Sequence, residues 1–187
     1  MKTFLISDTH FGHANILTFK RQDGSPLRDF PNIYVHDEYL IDQWNSIVKP
    51  EDKVYHLGDV GFKNFTTLGS ILGRLNGTKV LIRGNHDNFK LSQYQQYFKD
   101  VRASHTLDKF VLTHIPIHPA SVERWAANIH GHLHANLIQE QIPGLGLQDD
   151  SRYINVSVEQ IGYKPIDFEE IRSNYYNNPS HSARYPV

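Results

Sequence analysis

Cysteine is absent from this chain of 187 residues. Its absence excludes disulfide bonds, thiolate catalysis and cysteine-bound zinc. Because the first residues fit a strand, we expect no signal peptide, and no apolar stretch is long enough to span a bilayer. These absences are compatible with the cytosol, so we expect a cytoplasmic protein without a membrane partner.

An excess of charge is missing as well, because 19 basic and 20 acidic side chains leave a formal net charge of −1. Such a chain has no field for the long-range capture of DNA, so we expect no long nucleic acid as a partner. A hydrophobic content of 39% is sufficient for a core. We predict a single domain over residues 1–187, with a polar, flexible tail at 177–187.

Histidine, by contrast, is abundant, with 12 residues. Because no sulfur ligand is present, this excess fits imidazole metal chemistry. Five short apolar runs each lead into residues that can bind a metal ion, namely Asp8 and His10, Asp59, Asn85, His114, and the pair His132 and His134. Buried parallel strands look like such runs, and open α/β sheets bind ligands beyond the carboxyl ends of their strands. We therefore predict a metal site along one edge of a sheet.

The remaining pattern alternates strands with helices and then becomes rich in strands. It predicts helices at 35–48, 65–75, 91–98 and 167–175, and strands at 2–7, 53–57, 78–82 and 127–130. Further strands are predicted at 101–107 and 109–113, joined at Asp108, and at 135–142 and 152–158, around a turn at 144–146. The predicted fold is an α/β domain of two mixed sheets packed face to face, with helices outside.

The spacing of the candidate ligands suits a pair of divalent ions. On extended backbone just past a strand, residues i and i+2 point the same way, so Asp8 and His10 can reach one ion. His132 and His134 repeat this spacing, which does not fix how they divide between two ions. The carboxylate of Asp59 has two oxygens and can bridge two cations.

Mixed oxygen and nitrogen ligands suit transition metals better than Mg²⁺ or Ca²⁺, which prefer oxygen alone. Asn85 supplies an amide oxygen without adding negative charge, and His114 supplies a further nitrogen. Metal availability decides among the candidates. We expect two Mn²⁺ ions as cofactors, with Fe, Zn²⁺, Co²⁺ and Ni²⁺ as alternatives.

Five motifs follow one another in this chain: Asp8-x-His10, Gly58-Asp59, Gly84-Asn85-His86-Asp87, His114 and Gly131-His132-x-His134. The series resembles that of the calcineurin-like metallophosphoesterase family, and 6–13 and 83–87 further resemble a small, cap-less bacterial and phage branch. The resemblance implies a four-layer αββα sandwich, in which two mixed β-sheets are flanked by helices. It also implies metal-dependent hydrolysis of phosphoric esters.

The resemblance further implies a role for each motif. The first metal would be held by Asp8, His10, Asp59 and His134, and the second by Asp59, Asn85, His114 and His132. In such sites the ions lie roughly 3.5–4 Å apart, and a bridging hydroxide attacks phosphorus in line. His86 would donate a proton to the leaving oxygen, Asp87 would orient the imidazole of His86, and Asn85 would contact the phosphoryl group.

Other residues are candidates for contacts with the substrate. His13 could touch a phosphate or could bond to the loop backbone. Arg83 could bind a phosphate or form a structural salt bridge. The polar segment 18–31 is a candidate substrate-recognition loop or an ordinary solvated surface, and its basic residues are Lys20, Arg21 and Arg28. His36 fits an ordinary surface position.

We favour hydrolysis of a small phosphodiester, such as a nucleotide-type substrate, because no segment is long enough for a cap that would enclose a tiny monoester. Phosphomonoester hydrolysis is the nearest alternative. A non-catalytic interaction scaffold with the phosphoesterase fold is an alternative of another class, although no ligand is missing. A nuclease for long DNA or RNA conflicts with the near-neutral charge.

Overall fold

The computed structural model describes residues 1–62 and 64–177 of the chain. The strands are β1 (Thr3–Ile6), β2 (Lys53–His56), β3 (Thr78–Ile82), β4 (Asp100–Arg102), β5 (His105–Leu107), β6 (Phe110–Leu112), β7 (Asn128–His130), β8 (Gln139–Ile142), β9 (Gly146–Asp149), β10 (Tyr153–Asn155) and β11 (Ile166–Asp167). The α-helices are α1 (Ile33–Ile47), α2 (Phe65–Leu72), α3 (Leu91–Tyr94), α4 (Pro119–Val122) and α5 (Phe168–Asn177), and a short 3₁₀ helix covers Ala14–Thr18.

None of the described helices combines the length and the apolar character that a membrane span requires. The tail that we predicted falls outside the described residues from position 178 onward.

The first sheet has the strand order β11-β1-β2-β3-β4, in which β1 to β4 are parallel and β11 is antiparallel to β1. Ile6 is paired with His56, and His56 is paired with Leu81. The carboxyl ends of β1, β2 and β3 therefore lie side by side. The loops that begin there carry the first three of the sequence motifs.

The second sheet has the order β10-β7-β6-β5, in which β7 is parallel to both of its neighbours and β5 is antiparallel to β6. Leu112 is paired with Ile129, so β6 and β7 also end together. His114 follows one of these strands, and the Gly131 motif follows the other. The hairpin β8–β9 forms a separate small sheet.

Two cores result from the alternation of side chains along β1. Phe4 and Ile6 pack with buried side chains of α1 and α2, whereas Leu5 packs between the two sheets with Phe110 and Leu112. Burial of each large apolar side chain contributes roughly 1.5–3 kcal/mol. Trp44 of α1 is 1% exposed, as expected for a core residue at helical spacing.

The predicted fold class of two mixed sheets with helices is confirmed, and β3 has the predicted bounds. The single strand predicted at 101–107 is wrong, because the chain crosses from the first sheet to the second within it. β4 pairs with β3, and β5 pairs with β6. A local sequence pattern does not reveal a change of sheet, because the partner strands β3 and β6 lie elsewhere in the chain.

The hairpin predicted from 135–142 and 152–158 is also wrong. β8 pairs with β9, which begins within the predicted turn, and β10 lies parallel to β7 in the second sheet. Gly144 and Gly146 have positive φ and form the tight turn that joins β8 to β9. The predicted helices 65–75 and 91–98 end early, at Leu72 and Tyr94.

Candidate metal centre

The carboxyl ends of four strands, β1, β2, β6 and β7, bring six of the predicted ligands to one edge of the molecule. These residues form two groups, and within each group the ligand atoms lie within 4.8 Å of one another. The first group contains Asp8, His10 and His134, and the second contains Asp59, His114 and His132. The structure thus separates His132 from His134, a division that their spacing left open.

The carboxylate of Asp59 lies between the two groups. Its Oδ2 atom is 3.8 Å from Nε2 of His10 and 3.4 Å from Nε2 of His114. Its Oδ1 atom accepts a hydrogen bond of 2.9 Å from the backbone N–H of His86, which fixes the orientation of the carboxylate. Oδ2 can therefore be shared by two cations.

Two buried atoms in the first group lack hydrogen-bond partners among the described residues. They are Oδ1 of Asp8 and Nε2 of His10, which are 3.8 Å apart. The other oxygen of Asp8 accepts hydrogen bonds from the backbone N–H of His132 and the hydroxyl of Ser157. An unpaired carboxylate oxygen is costly to bury. A divalent cation would satisfy both atoms, so these residues fit the metal that the motifs imply.

Hydrogen bonds to one ring nitrogen leave the other nitrogen of two histidines available for a metal. His114 donates from Nδ1 to the carbonyl of Leu57 at 2.7 Å, so its Nε2 faces Asp59. His134 donates from Nδ1 to Oε1 of Glu159 at 3.0 Å. Histidine ligands of metals commonly donate their second ring N–H in this way, which fixes the tautomer.

Asn85 adds an uncharged oxygen to the second group. Its Oδ1 atom is 2.8 Å from Nε2 of His114 and 3.0 Å from Nδ1 of His132. The side chain is exposed, unlike those of Asp8 and Asp59. Asn85 is therefore placed to contact both a metal and a molecule that enters from solvent.

The backbone is strained at most of the predicted ligands. Seven described residues other than glycine have positive φ, and five of them are Asp8, His10, Asp59, His132 and His134. This left-handed conformation is uncommon for residues with a side chain. Such strain persists where the surrounding structure enforces it, and it concentrates at functional sites.

Two glycines permit the close approach of the loops. Gly58 has a φ of +94°, and a Cβ atom there would lie 2.6 Å from both Gly84 N and His114 Nδ1. A Cβ atom on Gly131 would overlap Oγ of Ser7 and the carboxylate of Asp8. Only glycine allows the two sheets to meet at this point.

Burial and mutual charge shift the pKa values of the centre. Burial alone would raise the pKa of Asp8, but the neighbouring imidazole of His10 and the charges of His134 and His114 hold this pKa below its usual value. Burial lowers the pKa of His10 to about 4. At neutral pH Asp8 is therefore ionised and His10 neutral, which are the forms that bind metals.

Asp87 does not orient the imidazole of His86, contrary to the role that the family resemblance implied. Its Oδ2 atom accepts hydrogen bonds from the backbone N–H groups of Asp59 and Gly84, and its Oδ1 atom accepts from Val60 N–H at 3.0 Å. Asp87 is buried and joins the loops that follow β2 and β3. Its carboxylate thereby holds the backbone of Asp59 in place.

Glu159 is not included in the sequence motifs, and its side chain is buried. It accepts the hydrogen bond from His134, and its Oε1 atom is also 2.7 Å from Nη2 of Arg28. The same guanidinium donates to the backbone carbonyls of Asp8 and Thr9. Burial raises the pKa of Glu159, but His134 and Arg28 lower it below its usual value. The carboxylate is thus charged and orients a candidate ligand.

The interpretation of Arg28 and His36 as surface residues is wrong. Arg28 is 1% exposed and His36 is fully buried. Nη1 of Arg28 lies 3.1 Å from Nε2 of His36, whose Nδ1 is 2.9 Å from Oδ1 of Asp37. Asp37 in turn accepts from the backbone N–H of Gly12. This buried chain of hydrogen bonds ties α1 to the loop that carries Asp8 and His10.

Three rings form the mouth of the centre. The ring of Phe62 stacks on that of His13 with 4.0 Å between centroids, and it lies 5.1 Å from the ring of His86. His13 Nδ1 is 3.4 Å from His10 Nδ1, so His13 lies beside the ligands. Phe62 has no motif position, which is why the sequence did not identify it. The exposed ring of His86 has no hydrogen-bond partner among the described residues.

Arg83 forms no salt bridge in the described structure. Its guanidinium donates to the backbone carbonyl of Asp87 at 2.7 Å and to that of Phe89 at 3.4 Å. These bonds brace the loop that presents Asn85 and His86. A contact between Arg83 and substrate stays a prediction.

Comparisons with known proteins agree with this arrangement. The model of the calcineurin-like phosphoesterase superfamily domain matches residues 1–156. Protein MJ1445 of Methanocaldococcus jannaschii, described as uncharacterized, is 39% identical over 178 residues, which are 91% of this chain and 89% of that protein. The Gene 66 protein of Mycobacterium phage L5 is 36% identical over 90 residues, or 46% of this chain and 39% of that protein.

A solved structure supports the same fold. The crystal structure of AQ665 from Aquifex aeolicus, a protein of unknown function, has a TM-score of 0.69 and 27% identity, and covers 92% of this chain and 98% of its own. The chain belongs to the calcineurin-like phosphoesterase superfamily. Membership indicates a metal-dependent phosphoesterase, and the two groups of histidine and aspartate could hold divalent metals.

Proposed function

We propose that this protein hydrolyses small phosphodiesters of the nucleotide type with the aid of two divalent metal ions. The observation that carries the proposal is the junction of the two ligand groups at Asp59, whose Oδ2 lies within 4 Å of a histidine from each. The unpartnered atoms of Asp8 and His10 support it, because a cation would satisfy them.

One ion would be held by Asp8, His10, Asp59 and His134, and the other by Asp59, Asn85, His114 and His132. Metals at such a site activate water and neutralise the charge of phosphoryl oxygens. We favour Mn²⁺, with Fe, Zn²⁺, Co²⁺ and Ni²⁺ as alternatives, because the ligands mix carboxylate, amide and imidazole.

Residues at the mouth would handle the substrate itself. The side-chain N–H₂ of Asn85 makes no hydrogen bond among the described residues, so it can donate to a phosphoryl oxygen. His86 is exposed and can donate a proton to the leaving oxygen. The backbone bond from His86 to Asp59 keeps this imidazole beside the metal ligands.

Two cavities support a diester in preference to a monoester. One, of about 610 Å³, reaches the centre through His132 and His134. The other, of about 450 Å³, reaches it through Asn85 and His114. A phosphodiester has two ester groups, and each can occupy one cavity. A monoester has a single ester group and leaves one cavity without an occupant.

The alternatives predict different behaviour. A phosphomonoesterase would use the same open centre on a substrate with one ester group. A non-catalytic scaffold would bind metal without turnover. A nuclease for long DNA or RNA would cleave polymers, which the net charge of −1 does not favour.

The first test compares bis-p-nitrophenyl phosphate with p-nitrophenyl phosphate in the presence of Mn²⁺. We expect a higher kcat/KM for the diester. Asn85→Ala and His86→Ala should each reduce kcat by about 10²-fold or more, the usual scale for a proton donor. His118→Ala is a matched control, because His118 is exposed and its side chain accepts a hydrogen bond from the backbone N–H of Ala120 in α4.

Faster hydrolysis of the monoester would favour a phosphatase. Metal binding without hydrolysis of either ester would favour the scaffold. Undiminished turnover by both Asn85→Ala and His86→Ala would show that the hydrolysis comes from a contaminant. A gel assay on single-stranded and double-stranded DNA and RNA tests the nuclease.

A further inference from the structure

The larger cavity beside the centre contains cations that the proposed chemistry does not use. It lies between the segment Phe19–Gln22 and the segment that follows His132. His132 and His134 form its inner wall, so the cavity is continuous with the metal centre. A group in this cavity could therefore be part of the same molecule as a phosphoryl group at the candidate metal centre.

The lining of this cavity is positive. Lys20 and Arg21 are exposed, and neither side chain forms a hydrogen bond or an ion pair within residues 1–62 and 64–177. No aspartate or glutamate belongs to the lining. The nearby Asp23 bonds instead to Ser25 in its own turn. A negatively charged group can therefore enter without meeting a carboxylate.

The segment that carries these cations is held in a defined position. Backbone hydrogen bonds of 2.8 Å join Leu27 to Phe19 and Arg21 to Ser25. Across the cavity, the side chain of Gln22 donates to Oδ1 of Asn136 at 3.0 Å. The backbone that carries the cations is thus held in place before any ligand arrives, which reduces the entropy lost on binding.

Arg28 anchors the same segment at its base. It is buried and bonds to Glu159 and to the carbonyl of Asp8, next to the first group of ligands. The backbone of the segment is therefore tied to the loop that carries Asp8. Phe19 adds an apolar surface to the cavity, since it is 46% exposed and touches His13 edge to face.

We infer that this cavity, the anion pocket formed by Phe19, Lys20, Arg21 and Gln22 opposite His132–Asn136, binds a second phosphate carried by one ester group of the substrate. The inference rests on the proposed function and narrows it. The substrate class is a nucleoside phosphodiester with an additional phosphate on its sugar. The phosphate bonds to Lys20 and Arg21, and the sugar or base packs on Phe19.

Two diesters that differ by one phosphate test the inference. They are the 5′-p-nitrophenyl phosphate of thymidine and the same compound with a 3′-phosphate, each assayed with Mn²⁺ and analysed by chromatography of the products. We expect a roughly tenfold lower KM for the second compound, since each tenfold step in affinity equals about 1.4 kcal/mol. The double variant Lys20→Ala/Arg21→Ala should abolish this difference, so that the two compounds have equal KM values in the variant.

A matched control removes two positive charges elsewhere. Lys99 and Lys109 are exposed and precede β4 and β6, at the edge opposite the metal centre. Lys99→Ala/Lys109→Ala should behave as the wild type with both diesters. If this control also loses the difference in KM between the two diesters, then net charge, and not the anion pocket, selects the phosphate.

Calorimetry on the metal-free protein provides a readout without turnover. Thymidine 3′,5′-bisphosphate should bind the wild type about tenfold more tightly than the double variant. Thymidine, which carries no phosphate, should bind both proteins with equal affinity. Equal binding by both proteins, or equal KM values for the two diesters, would overturn the inference. If neither diester is hydrolysed, the proposed function fails, whereas calorimetry still decides whether the pocket exists.

Discussion

The strained ligands raise the question of what stabilises them. A residue held in a sparsely populated region of φ and ψ costs on the order of 1–3 kcal/mol. Backbone hydrogen bonds from Asp8 to Gly58 and from His10 to Asp59 enforce the conformation. This conformation places Asp8 Oδ1 and His10 Nε2 close together, where both atoms are buried and lack hydrogen-bond partners among the described residues. Strain and unpaired atoms at the same residues are costs that a bound cation would offset.

Glu159→Gln should weaken metal binding without abolishing the fold. Glutamine keeps an oxygen that can accept from His134 Nδ1, but it removes the negative charge that makes this ring a better ligand. Loss of such a supporting carboxylate typically reduces metal affinity about 10–100-fold. We expect the affinity of one of the two metal sites to fall by this factor. The measurement is titration calorimetry of Mn²⁺ into metal-free protein.

Glu38→Gln is the matched control for that experiment. Glu38 forms an ion pair with Arg74 on the surface, so its loss should leave both affinities unchanged. Circular dichroism of the metal-free proteins would separate a local effect from unfolding. Wild-type affinity at both sites in Glu159→Gln would exclude a supporting role for Glu159.

Among the strands and loops, those parts of the site that follow from local sequence were predictable. A strand that is buried on both faces is a run of apolar residues, and the loop after it begins with the first polar residue. Asp8, Asp59 and His114 were found by this rule. The pairing of strands set by such runs also places the loops together, because parallel strands end at a common edge.

The parts that depend on distant contacts were not predictable. Arg28 is the clearest case, because a basic residue in a polar, turn-rich segment is ordinarily solvated. Its burial depends on Glu159, which lies 131 residues later in the chain. Phe62 likewise reaches the mouth of the centre from a loop with no motif. The change of sheet between β4 and β5 was missed for the same reason, since no local pattern encodes it.

Gly131→Ala should destabilise the junction of the two sheets. The new methyl group would overlap Ser7 Oγ and the carboxylate of Asp8, which are both buried and held by hydrogen bonds. Overpacking of this kind costs about 1–3 kcal/mol. We expect a decrease of this size in the free energy of unfolding, measured with urea in the absence of metal.

Gly73→Ala serves as the control for that substitution. A Cβ atom on Gly73, at the end of α2, would lie 3.4 Å from its nearest neighbour, which is ordinary van der Waals contact. Its effect on stability should be small. A similar stability for Gly131→Ala and the wild type would mean that the sheets can separate without cost at the centre.

The loop before β2 should make stability depend on pH. Asp52 accepts hydrogen bonds from the backbone N–H groups of Lys2 and Lys49, and these bonds lower its pKa below 3.8. A lowered pKa in the folded state stabilises the protein above about pH 4, and this contribution is lost as the pH falls through the folded pKa. Asp52→Asn should therefore differ most in stability from the wild type at neutral pH.

The measurement is urea unfolding of both proteins from neutral pH to below the usual aspartate pKa of about 3.9, where the Asp52 carboxylate becomes protonated first in the unfolded chain. The difference in unfolding free energy should shrink toward the acid end. Asp42→Asn, an exposed position in α1, should show no such trend. A difference that is constant across this range would mean that the charge of Asp52 does not stabilise the fold.

At the scale of the whole molecule, an anionic substrate would be attracted by local charges and not by the net charge. A net charge of −1 provides no general attraction for an anionic substrate. The candidate metals and the side chains of Lys20 and Arg21 would provide positive charge at one edge of the molecule. The amino ends of the strands, at the opposite edge, carry none of the predicted ligands. Substrate capture would thus depend on this single edge.

Removal of metal should therefore destabilise the entire domain, because the candidate ligands come from both sheets. A ligand at a hundredfold excess over its Kd stabilises the folded state by about 2.7 kcal/mol. For a protein of this size, that corresponds to a rise in Tm of roughly 5–10 °C. We expect Mn²⁺ to raise the Tm of chelator-treated protein by this amount in calorimetric scans.

The variant Asp59→Asn tests whether the Mn²⁺ ions that raise the Tm bind at the candidate metal centre or elsewhere on the protein. Asparagine keeps an oxygen for the backbone N–H of His86, so the loop retains its hydrogen bond, but the charge shared by the two groups is lost. Most of the rise in Tm with Mn²⁺ should disappear in this variant, while its Tm without metal should stay near or above that of the wild type. An equal rise in both proteins would mean that the charge of Asp59 contributes nothing to the binding of the ions.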